Sequence, residues 1–240
     1  MTAIRSFRLL ASALALAGLS AIVTASAAAE ISGPCTASIA GQSVRDRGTS
    51  ARSDAISVSN DSVVPVTMRA AQSISHLKIE IEFAGFRWTV HDKPSHGNSW
   101  ASTVPVNDYA NYGVGLYKVI GSSSGVASCS GAALVSVNGN PLTTVAGVVG
   151  LVAALAGLGG IAAMVAMTMR AGAIGFGKTA FGAVFGIIAG LGLAVLLQEY
   201  SVVYPTRNAV IAEVGLAVLF AVGLCVIARF LGRGRVTVPD

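Results

Sequence analysis

LTTVAGVVGLVAALAGLGGIAAMVAMTM, residues 142–169, contains no charged side chain. Its 28 positions exceed the roughly 20 that an α-helix needs to cross the hydrocarbon core of a bilayer. The stretch reads as a membrane span, with the helix itself expected at about 145–169. Two further spans follow, at about 179–197 and 209–228, the last interrupted by a single acid, Glu213. Arg170 and Lys178 lie between the first and second spans, and Arg229, Arg233 and Arg235 follow the third. All five belong on the cytoplasmic side by the positive-inside rule. The opposite connection, 198–208, holds one acid and one base, Glu199 and Arg207, with Tyr200 and Tyr204 as interfacial aromatics.

The front of the chain gives the same orientation. Arg5 and Arg8 precede an apolar run beginning at Leu9, and small residues at Ala25, Ala27 and Ala29 fit a small-x-small cleavage pattern. Residues 1–29 therefore read as a secretory signal peptide, or as an anchor helix if the segment is retained. Either way residues 30–143 are expected outside and the C-terminus inside, in a multi-pass protein of the cell membrane whose first partner is lipid.

Composition agrees. Hydrophobic residues make up 53% of the chain and charged ones 11%, against about 25% in an average soluble domain. The formal charge of +5 does not mark a nucleic-acid partner. Residues 30–143 hold eight basic and eight acidic side chains, so the excess sits beside the apolar runs and reports topology.

Within residues 30–143 the pattern changes to short β-type runs punctuated by Gly, Ser, Asn and Pro. Strands are expected near 35–40, 55–59, 63–70, 74–83, 86–91, 102–106, 114–121 and 129–137. Eight short strands with regular turn signals favour an all-β antiparallel sandwich. The best-defined unit is residues 77–90, LKIEIEFAGFRWTV, in which apolar residues alternate on one face either side of Ala84-Gly85. A two-residue turn there pairs Ile81 with Trp88 in the core and Glu82 with Arg87 on the outer face.

Cys35 and Cys129 bracket the domain in a compartment that permits disulfides, and a bond between them is expected, close to the bilayer. Cys225, in the third span, reads as a small packing residue.

The run Asp108-Tyr109-Ala110-Asn111-Tyr112-Gly113-Val114-Gly115-Leu116-Tyr117 resembles the corner that leads into a late strand of immunoglobulin-like domains. The resemblance covers about ten residues and implies an immunoglobulin-like architecture, not a function. No Cys follows Tyr112 or Tyr117 by two residues, which departs from that pattern.

Three features could carry function. Gly182, Gly186 and Gly190 recur every fourth residue in the second span and make a groove for a closely packed helix. The occupant is either this chain's own first or third span, or another subunit. Glu213 is an intramembrane acid and hence a candidate for an ion or proton pathway, although it stands only about 6 Å from the helix end. In the expected hairpin register His91 faces Lys78 and lies diagonal to His76 and Glu80, a candidate metal set with an opposing cation in its midst. No phosphate loop, zinc-protease signature or dinucleotide fingerprint is present in the sequence. The expectation is a non-enzymatic membrane subunit or scaffold without a cofactor. Its outer domain would bind a protein or envelope component and its glycine-lined helices would assemble with a protein partner or a second copy. A transport component using Glu213, or a metal-binding or sensing protein, are the alternatives.

Overall fold

The computed structural model of the chain describes residues 33–44, 54–126, 128–171 and 176–233. The leader, 1–29, and Arg235 lie outside them. Among the described residues nine strands come first: β1 (Cys35–Ile39), β2 (Gln42–Ser43), β3 (Ile56–Ser59), β4 (Val63–Ala70), β5 (Ile74–Phe83), β6 (Phe86–Pro94), β7 (Ser99–Pro105), β8 (Gly115–Gly125) and β9 (Cys129–Asn138). A short helix α1 (Asn107–Ala110) separates β7 from β8. Three long helices follow, α2 (Val145–Ala171), α3 (Phe176–Glu199) and α4 (Arg207–Arg233). Apolar enough to cross a membrane are Val145–Met169, Ala180–Glu199 and Arg207–Ile227.

The strands form two sheets, β2-β1-β4-β7 and β3-β9-β8-β5-β6. Ile39 and Val64 from the first meet Val58, Tyr117, Val135 and Val137 from the second in one buried core. The sheets are not wholly antiparallel, because β3 runs parallel to β9, Ile56 opposite Val135. A two-residue strand, β2, also lies beyond the expected set; at that length it has no period for the sequence to show.

The β5–β6 hairpin forms at Ala84-Gly85, with φ of 50° and 75°. Positive φ at both positions is the type I′ geometry that matches strand twist. The expected register holds near the turn, where Ile81 faces Trp88 and Glu82 faces Arg87. It then shifts at a bulge between Ile79 and Glu80, so His91 faces Ile79, and Lys78 faces Asp92. A bulge adds one residue to one strand and turns every later side chain on that strand to the other face.

Burial also departs from expectation. Trp88 is 47% exposed and Phe86 68%, on β6, the edge strand of its sheet. Glu82, expected on a wet face, is buried because the start of α4 covers it, and its Oε1 accepts the backbone N–H of Arg207 at 3.3 Å.

Cys35 and Cys129 are joined by a disulfide. Its position corrects the expectation. Cys129 opens β9, and α2 begins only after the other end of that strand. At about 3.3 Å per residue the bond lies about 30 Å from the helix end of the domain.

The helices pack in sequence order around α3. A Cβ on Gly186 would stand 3.0 Å from the Val218 Cα, one on Gly190 2.9 Å from the Val214 Cα, and one on Gly182 3.0 Å from the Cys225 Sγ. The glycine groove therefore receives the chain's own last helix. On its other side α3 presses on α2, where a Cβ on Gly157 would meet the Ala189 backbone. Close backbone approach of this kind is how helices associate in lipid.

Candidate functional site

The last two residues of α3 reach out of the bundle into the underside of the β-domain. Gln198 has no exposed surface, and its amide bridges the β5–β6 turn and β8: Oε1 accepts from the Ala84 N–H at 2.7 Å and Nε2 donates to the Leu116 carbonyl at 3.1 Å. Glu199, 3% exposed, has both carboxylate oxygens 2.8 Å from the Thr144 hydroxyl. Thr144 caps α2 by accepting the Gly147 N–H at 3.0 Å, which leaves its hydroxyl in a network with no slack.

Small residues make room for this plug. A Cβ on Gly113 would lie 2.9 Å from Glu199 Oε1, and one on Gly147 2.6 Å from Oε2. Gly115, at φ 92°, brings β8 onto the backbone of the same two residues. The first free N–H groups of α2 are satisfied by the domain as well, Val145 by the Asn111 carbonyl at 3.2 Å and Ala146 by the Tyr112 carbonyl at 2.7 Å. The six residues between β9 and α2 are themselves tied down, with Asn140 capping a 3-10 turn over Pro141–Thr143. Domain and helices are thus held at a fixed angle and not by a flexible tether.

Above the plug, Tyr117 stacks on Phe83 at 4.7 Å and donates its hydroxyl to the Gly113 carbonyl at 2.7 Å. Burial pushes its phenol well above the ordinary range, and the negative charge of Glu199 adds to that shift.

Between the sheets an apolar slot of about 250 Å³ opens, lined among others by Ile81, Val90, His91, Trp100, Val104 and Tyr109. A smaller void of about 70 Å³ continues it toward the disulfide, sharing Ile39, Val66, Ile79, Trp100 and Val119. A sealed dry cavity of the larger size would cost about 6 kcal/mol at 24 cal/mol per Å³. That is comparable with the whole stability of a small domain, so the slot is an open feature of the surface and not a packing defect.

The expected metal set does not converge. His76 pairs with Asp92 at 2.9 Å, Glu80 with Lys78 at 2.9 Å and Arg87 at 3.9 Å, and His91 packs against Trp100 at 5.1 Å between the ring centres. The bulge is the cause, since it turns His91 inward. Among the described residues no group of three His, Cys, Asp or Glu could hold a metal ion. Glu213 lies within α4, and neither of its carboxylate oxygens has a hydrogen-bond partner among the described residues.

In the sequence alone Gln198 and Glu199 are no more than the edge of a loop. The available signal was a Gln-Glu pair closing an otherwise apolar span, with the glycines at 113, 115 and 147 as its complement.

No family model matches the chain, and no curated protein matches it. Among solved structures the chain is similar to a lytic polysaccharide monooxygenase of Jonesia denitrificans, at 9% identity and a TM-score of 0.25. The match covers 37% of this chain and 63% of that one, and it is too slight to bear on fold or activity.

Proposed function

We propose that the chain is a non-enzymatic membrane subunit or scaffold that holds a binding domain at a set angle above three membrane helices. The observation that carries this reading is the Gln198-Glu199 plug. Two adjacent buried polar residues lock the hairpin turn, the start of β8 and the cap of α2 to one helix end. A module tethered only for anchorage needs no such lock; a module that presents a surface to a partner, or relays its position, does. Basic residues after the first and third spans support an outer domain and an inner C-terminus.

The immunoglobulin-like reading of the domain is part of this proposal. It is supported by the orders β1-β4-β7 and β9-β8-β5 in the two sheets and by the Tyr117 hydroxyl returning to the Gly113 carbonyl at the entry to β8. Because the glycine groove is filled from within, a protein partner or a second copy would meet the outward helix faces or the β6–β7 side of the domain. Cross-linking of the full chain in native membranes, followed by purification in mild detergent, tests this. Cross-links clustering on those faces are expected; a monodisperse monomer without cross-links refutes the scaffold role.

A transport role has one observation in its favour, the two oxygens of Glu213 inside a span, which have no hydrogen-bond partner among the described residues. Loss of ion or proton flux in Glu213→Gln, with assembly intact, is the result that would establish it.

A further inference from the structure

We propose that the end of the β-domain nearest the helices is itself a membrane-contact surface, seated in the interfacial layer of the adjoining leaflet by aromatic side chains from separate loops. This deepens the reading of a domain held at a set angle, and it rests on the three long helices spanning a bilayer. Among the described residues of the domain six large hydrophobic side chains are exposed: Val63, Phe86, Trp88, Tyr112, Val126 and Leu142. Scattered singly over the surface they would need no explanation. Five of the six lie toward the helix end, and only Val126, beyond the far end of β8, does not.

Their neighbours place them at the helix roots. Gly85, next to Phe86, lies against the first turn of α4, with its Cβ position 3.3 Å from the Arg207 Cα and 3.5 Å from the Val210 Cγ2. Trp88 follows two residues along β6, its ring 6.2 Å from that of Phe86. The Tyr112 carbonyl accepts the Ala146 N–H in the first turn of α2, and Leu142 stands three residues before that helix begins. Val63 opens β4 beside Pro105, at the opposite end of the strand from the Ala70–Cys35 pair by the disulfide. Tyr200, half exposed, follows the last residue of α3. Each of the three helix ends thus has an exposed aromatic beside it, contributed by a different part of the sequence.

The helix length sets the height. The apolar part of α4, Arg207–Ile227, has 21 residues and rises about 32 Å, about the thickness of the hydrocarbon core. Its first turn therefore marks the edge of that core, and the hairpin tip beside it stands at the base of the headgroup layer. The layer is about 5–8 Å deep, and Trp88, at most about 7 Å along the strand from Phe86, falls within it. Aromatic rings gather at this depth. The same end of the domain also exposes Asn60, Asp61, Asp108 and Asn111. Charged and amide groups stay solvated among headgroups, whereas the buried centre of a protein interface is depleted of charge. The mixture favours a lipid surface over a partner chain, which is left the part of β6 and β7 farther from the helices.

The two tryptophans of the protein make the test direct. Trp100 lies about 17 Å up β7 from its helix end, at about 3.3 Å per residue. The full chain is placed in nanodiscs of phosphatidylcholine in which part of the lipid carries a nitroxide quencher, either on the headgroup or at the end of an acyl chain. In Trp100→Phe, most of the Trp88 emission should be lost with the headgroup quencher and little with the chain-end one. In Trp88→Phe, Trp100 should keep its emission with both. Trp88 quenched no more than Trp100 overturns the proposal, because the domain then stands clear of the lipid. Stronger quenching of Trp88 from the chain end than from the headgroup overturns it too, since the residue is then not interfacial. Should Trp100→Phe fail to fold, benzoylphenylalanine in place of Tyr112 gives a second reading, its excited ketone inserting into a neighbouring C–H bond. Illumination in the same nanodiscs should add the mass of one phospholipid to the chain, and an unmodified chain overturns the proposal. These nanodiscs hold no other protein, so a failure here leaves the scaffold role standing, and an absence of protein cross-links in native membranes leaves the lipid contact standing.

Discussion

Replacing Gln198 by leucine keeps the size of the side chain and removes both hydrogen bonds by which α3 holds the β-domain. The Ala84 N–H and the Leu116 carbonyl, now 2.7 and 3.1 Å from their partners, are left facing an apolar group in a site with no exposed surface. Each orphaned buried group costs about 1–3 kcal/mol, so the pair costs about 2–6 kcal/mol. Burial of the leucine offsets about 1 kcal/mol of this, the worth of one further buried methyl group. A net loss of about 1–5 kcal/mol is expected, concentrated at the junction. Hydrogen exchange of the full chain in nanodiscs reads it directly: at about 1.4 kcal/mol per tenfold, exchange at the Ala84 amide should quicken from about fivefold to several thousandfold. Amides in the middle of α2 and α3 should not change. Gln198→Glu should be worse, since it sets a buried carboxylate against the Leu116 carbonyl. Unaltered exchange at Ala84 in Gln198→Leu, with the fold intact, would show that the plug bears no load and would remove the main support for a fixed domain angle.

Loss of the disulfide in Cys35→Ala/Cys129→Ala, a pair 94 residues apart in sequence, should destabilise the outer domain by up to about 4–5 kcal/mol. Denaturant unfolding followed by domain-specific probes should show the helices unaffected, because the bond is remote from them. Gly190→Leu drives a side chain into the Val214 backbone and should cost at least about 1–3 kcal/mol in detergent unfolding. Gly159→Ala, which meets nothing within 4 Å, should be silent in the same assay. The raised Tyr117 phenol favours the protonated folded state. Its contribution is complete below the ordinary phenol value of about pH 10 and falls as the pH rises past it. Alkaline unfolding curves of Tyr117→Phe should lack that component. Glu213→Leu should be neutral or stabilising in thermal unfolding, since no hydrogen bond to it is lost among the described residues; a marked loss of stability would reveal a partner.

The helices were legible because 28 uncharged positions admit one physical reading, and the hairpin because Ala84-Gly85 interrupts a clean alternation. The disulfide pairing followed from there being two cysteines outside the spans, but not its place, which depends on the direction of β9. The histidine geometry failed at a bulge. One extra residue in β6 leaves no mark on composition, yet it sends His91 to the other face. The junction was hidden for a different reason: Gln198 and Glu199 gain meaning only from the groups they meet, which lie 82 residues earlier in β8 and 114 residues earlier in the hairpin turn for Gln198, and 55 residues earlier at the cap of α2 for Glu199.

Neighbouring residues on an α-helix point about 100° apart. Gln198 and Glu199 therefore grip different parts of the domain, the hairpin turn and β8 on one side and the cap of α2 on the other. A twist of α3 about its own axis cannot keep both grips. Torque applied to that helix from the far side of the membrane would be delivered to the domain as a tilt, and a load on the domain would return as a twist. Two consecutive side chains make the bundle and the domain a single lever.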